Sequence, residues 1–180
     1  MRRVIISIGV LFILTSCSKA PKCNDSDVVD RVKDICVREA KIQIAYDKLY
    51  EEDIYVLENT YTGKQMLEMF SMMGGGSGAE NTLKKMKEEA STRIRKMVED
   101  ENFKYEKYDK FIHFADSVIN GSDIKIKNIR TSNIEEEIGK CNCNADFIST
   151  GRLENTGKII NYSAQITEDK VIYVEVDFEE

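Results

Sequence analysis

The chain has 180 residues and a formal charge of −6, from 32 acidic against 26 basic residues, with one histidine and no tryptophan. An acidic chain without a basic arm excludes nucleic acid as a partner and gives no attraction to anionic lipid headgroups. The length suits a single domain.

The first element is an export signal. Arg2 and Arg3 precede an apolar run from Val4 to Leu14, and small residues lead up to Cys17. That run is too short for a membrane span, which needs about 20 residues, and its charged start fits a signal peptide over residues 1–16. Leu14-Thr15-Ser16-Cys17 resembles the lipobox of bacterial lipoproteins. The resemblance implies cleavage before Cys17, a diacylglycerol thioether on its sulfur and an amide-linked acyl chain. Two or more acyl chains anchor stably, so the implied partner of Cys17 is the lipid bilayer. Ser18 in place of an aspartate implies transfer to the outer membrane, facing the periplasm.

Residues 17–25, with the only proline at Pro21, read as a lipidated tether. One α+β domain then covers 26–180. Val28, Val29, Val32, Ile35, Cys36 and Ala40 recur at spacings of three and four, which predicts a helix running towards Tyr50. Asp25 or Ser26 serves as its N-cap, with acidic Asp27 and Asp30 in the first turn. A helical hairpin is expected over about 64–120. Its first arm is 64–73, its tip is "GGGSG" at 74–78, and its second arm carries apolar residues from Leu83 to Ile119 with a break at 100–102. Asn120-Gly121 ends it.

Beyond Gly121 the period changes to two. Ile124 and Ile126 alternate with lysines; Cys141, Cys143, Ala145 and Phe147 alternate with polar residues. Ile160, Tyr162, Ala164 and Ile166 form a third set, and Ile172, Val174, Val176 and Phe178 a fourth. Four strands, each with one apolar face, predict an antiparallel sheet covered on that face. Helices followed by strands give an α+β class: an N-terminal helix and a long helical hairpin packed on a four-stranded antiparallel sheet.

Besides Cys17, four cysteines remain after the signal: Cys23, Cys36, Cys141 and Cys143. An even set in an exported chain reads first as disulfides. The alternation points Cys141 and Cys143 inward, where bridges to Cys23 and Cys36 are the expected use. Zinc would want further close ligands, and His113 is far off in a helix. No metal or cofactor is expected at the cysteines. Met66, Met69 and Met72 stand three apart, a spacing suited to Cu(I) held by thioethers, but Leu67, Phe70 and Met73 fill the same helical face and favour apolar packing or contact. "GGGSG" follows a helix and lacks the Gly-Lys-Ser/Thr ending of a phosphate loop, so it reads as a connector. The charged run 84–96 is a solvated helix face, with Glu89 and Arg93 in the favourable i,i+4 order.

"CNDSDV" at 23–28, "NIRT" at 128–131, Cys143 to Phe147, and Tyr162 to Asp169 as Y-x-x-Q-x-T-x-D together resemble a loose group of envelope lipoproteins and secreted domains. The resemblance spans 23–40 and 124–178 and implies a cystatin-like or nuclear-transport-factor-like roll. It places a cysteine at each of positions 23 and 143 and so implies their bridge. Cys36 and Cys141 are left either as a second bridge or with Cys36 as a buried thiol. The expected function is a membrane-anchored, non-enzymatic binding module of the cell envelope with a protein partner, inhibitory or self-protective in a narrower form. The alternative is a small-ligand or Cu(I) carrier.

Overall fold

A computed structural model describes residues 20–73, 78–153 and 157–178, and the lipidation site at Cys17 lies outside them. Helix α1 runs Ser26–Leu49, continues through one π-helical turn at Tyr50–Ile54 into α2, Tyr55–Asn59, and is followed by α3, Tyr61–Met73. Helices α4, Ala79–Glu99, and α5, Glu106–Asn120, complete the helical block. Strands β1, Ser122–Glu135, β2, Lys140–Gly151, β3, Lys158–Ile166, and β4, Ile172–Asp177, form an antiparallel meander in the order β1-β2-β3-β4. The chain is therefore α+β, with an N-terminal helix, a helical region and a four-stranded open sheet.

The start of α1 is set at Asp25, whose carboxylate accepts the Lys22 N–H at 2.8 Å rather than capping the helix. The period-two reading places the strands' faces as observed. Cys141, Cys143, Ala145, Phe147 and Ser149 are buried along β2, and Ile160, Tyr162 and Ala164 along β3. In β1 the ladder slips between Lys127 and Arg130, where Asn128 takes a φ of 51°. That bulge inserts a residue, so after Ile124 and Ile126 it is Ile129 that turns towards the core.

Helix α1 serves two cores. Its first half supplies Val28, Val32 and Cys36 to a cluster with the inner face of the sheet. Ile35 and Ile166, expected in that contact, stand outside the cluster, and Val37 packs at its rim. Its second half supplies Ile42, Ala45 and Leu49 to a separate cluster with Ala90, Ile94 and Met97 of α4 and Tyr108, Phe111 and Ala115 of α5. Thus α4 lies on α1, and the sheet is covered chiefly by the early turns of α1. The π-helical turn carries Ile54 back into the second cluster five residues after Leu49, a spacing that a 3.6-residue period would misplace.

Charge pairs tie the helices together. Arg95 grips Glu39 through two nitrogens at 2.7 and 2.9 Å, and Lys41 meets Asp116 at 2.6 Å. Glu58 of α2 accepts from the Tyr50 hydroxyl at 2.8 Å and from Lys87 of α4 at 3.1 Å; both hydrogen bonds hold its carboxyl below the usual range.

Candidate functional site

Two features stand out: a buried group of sulfurs where α1 meets the sheet, and an uncovered apolar surface on α2 and α3. The sulfur group follows from the inward alternation of β2, which sets Cys141 and Cys143 on the core side two residues apart. The turn before α1 brings Cys23 onto them. Cys23 and Cys143 are disulfide-bonded, with Cα atoms 5.8 Å apart. The Tyr162 hydroxyl, from the residue paired with Cys143 across the ladder, donates to the Cys23 carbonyl at 2.8 Å. Burial, with a smaller contribution from Cys141, pushes the Tyr162 phenol up to about 12.

The second bridge, Cys36 with Cys141, does not form: both are free, buried thiols. The reason is the direction of α1 over β2. Cys36 lies ten residues along α1 from its start at Ser26, a rise of about 15 Å, beside Phe147 and Ile160, whereas Cys141 remains beside Cys143 at the other end of the strand. Burial, and secondarily the nearby Glu39 carboxylate, push the Cys36 thiol up to about 12. The Cys141 sulfur is 3.6 Å from that of Cys143, and the sulfurs of Cys23, Cys141 and Cys143 all lie within 4.8 Å of one another. Thr131 on β1 donates its hydroxyl to the Cys23 sulfur at 3.2 Å.

The apolar surface belongs to α3 and its neighbour. Met66, Met69, Met72 and Met73 are exposed with Phe70, Met72 and Met73 each at 78%. Only Gly63, Leu67 and Ser71 of α3 are buried. Tyr55, Val56 and Tyr61, which periodicity did not single out, extend the surface onto α2 and the start of α3. Beneath it, Leu57, Met66, Phe70, Met86, Tyr105 and Tyr108 line a cleft of about 540 Å³ between the helices. The three methionines considered for Cu(I) do not converge. Successive steps of three residues swing the side chain by about 60°, so Met66 and Met72 point about 120° apart.

His113 is exposed on α5, as its place beside Phe111 and Ala115 on the opposite face requires. Among the described residues no helix is long and apolar enough to cross a membrane. Comparison with protein-family models, curated proteins and solved structures finds no match to this chain.

Proposed function

We propose that this chain is a membrane-anchored, non-enzymatic binding module of the cell envelope, held by acylated Cys17 in the outer membrane and meeting a protein partner through α3. The observation that carries the reading is the run of exposed methionines with Phe70 and Tyr61 on one short helix. Large contiguous apolar surface is costly in water and marks contact sites, and methionine side chains adapt to a partner's relief. The cleft below α3 offers a socket for an anchoring side chain. The lipobox-like Leu14 to Cys17 supports the anchor, and the resemblance of residues 23–40 and 124–178 to envelope lipoproteins supports the setting. A Cu(I) carrier on Met66, Met69 and Met72 is the weaker alternative, because one helix fans those thioethers apart.

The test has two arms in the native envelope. Cys17→Ser should abolish acyl labelling and leave unprocessed precursor; persistent labelling would refute the anchor. Met69→Glu with Met72→Glu should leave the circular dichroism unchanged and remove a protein that the wild-type chain retains from detergent-solubilised membranes. An identical set of captured proteins would refute the contact surface.

A further inference from the structure

We propose that reduction of the Cys23–Cys143 bridge turns the sulfurs of Cys23, Cys141 and Cys143 into a three-coordinate thiolate site for Cu(I). The three sulfurs come from two elements, are each almost fully buried, and lie within 4.8 Å of one another. A trigonal metal about 2.3 Å from each sulfur would set them about 4 Å apart. Cys141 and Cys143 already stand at 3.6 Å, so only Cys23, in the turn before α1, must draw back.

The arrangement suits a ligand set better than it suits bridge exchange. In-line attack would place the attacking sulfur more than about 5 Å from the leaving one, since an S–S bond adds about 2 Å to the contact distance. All three sulfurs are closer than that, so the Cys141 thiol sits beside the bridge and not along its axis. A hydrogen bond also favours anionic sulfur at one corner, where the Thr131 hydroxyl donates to Cys23. Such a donor offsets part of the cost of buried negative charge, and a bound cation offsets more.

Three thiolates select a soft ion. Zinc prefers four ligands, and among the described residues no His, Asp or Glu joins the group. The Tyr162 phenol is engaged with the Cys23 carbonyl. The balance of the step is simple. A dithiol reductant gives two electrons and two protons to Cys23 and Cys143 and becomes a disulfide itself. Cu(I) then enters as thiol protons leave.

The experiment uses the full chain in detergent, reduced with dithiothreitol, freed of reductant without oxygen, and titrated with Cu(I) against a chromophoric Cu(I) chelator. Reduced protein should keep one Cu(I) per chain, with three sulfur neighbours by X-ray absorption, while the oxidised protein yields its copper to the chelator. Cys141→Ser should weaken retention at least tenfold; Cys36→Ser, and Leu at Met66, Met69 and Met72 together, should leave it unchanged. The proposal is overturned if reduced and oxidised protein behave alike, if Cys141→Ser binds as wild type does, or if the methionine variant is the one that loses copper. Loss of the folded circular-dichroism spectrum on reduction that Cu(I) does not restore would overturn it as well.

Discussion

Val32 and Lys33 are adjacent in the chain and opposite in the fold: Val32 is fully buried between α1 and the sheet, and Lys33 is exposed. Val32→Ala removes buried methyl groups and leaves a cavity, so it should cost about 1–3 kcal/mol in a urea titration. Lys33→Ala should stay within about 0.5 kcal/mol. Equal effects at the two positions would mean that the faces of α1 are assigned backwards. A second residue-level expectation concerns alkaline pH. Tyr162 and Cys36 both have folded pKa values pushed up to about 12, against 10.0 and 9.0 for the free groups. A raised value in an acid favours the neutral form in the fold. This stabilisation is complete below the unfolded pKa and is lost as pH rises through the folded one. Stability should therefore fall between about pH 9 and 12, Tyr162 contributing on the order of 2–3 kcal/mol of the loss. Tyr162→Phe should flatten the fall of the urea midpoint from pH 9 to 11. An unchanged slope would show that the phenol ionises as freely in the fold as outside it.

At the scale of elements, α3 is held by three buried residues, Gly63, Leu67 and Ser71, none of which belongs to either core cluster. Its seat on α2 depends on Gly63, where an added Cβ would stand 2.3 Å from the Val56 carbonyl oxygen and 2.6 Å from the Leu57 Cα. Those are backbone atoms that cannot swing aside, so Gly63→Ala should push α3 off α2. The expected result is faster proteolysis within 59–73 and little change in the global urea midpoint, because neither core cluster draws on α3. Unchanged proteolysis would mean that α3 is not seated through this contact. The strands were legible in the sequence because a half-covered sheet imposes a strict period of two, which β2 followed throughout; Ile166 at the end of β3 stands outside the core cluster, Phe178 is exposed beyond the end of β4, and β1 is bulged. The first helix was legible for the matching reason, since Val28 and Val32 face one surface throughout. The π-helical turn and α2 were not, because "YEEDIYVLEN" has no 3.6-residue period once an extra residue is wound into the turn. The sulfur group was half legible. Inward alternation placed Cys141 and Cys143 together, but which of Cys23 and Cys36 lies over them depends on the direction of α1 across the sheet, and no local pattern encodes a direction.

At the scale of the whole molecule, α1 is a spine about 36 Å long, with the sheet core at its start and the helical core at its end. The bridge fixes that start, since Cys23 is bonded to the sheet three residues before the helix begins. An anchor at Cys17 is six residues upstream and reaches at most about 20 Å. On the proposed anchor, then, the sheet end stays close to the bilayer, and α2 and α3, which follow the far end of α1, are held out towards a partner.

Photocrosslinking in intact envelopes tests that account most directly. A photoreactive residue is placed in turn at Met69, at Met72, and at exposed Asp30 near the sheet end of α1. The account predicts a discrete adduct with one envelope protein from positions 69 and 72 and none from position 30. It is contradicted if neither α3 position yields an adduct, or if position 30 yields the same one.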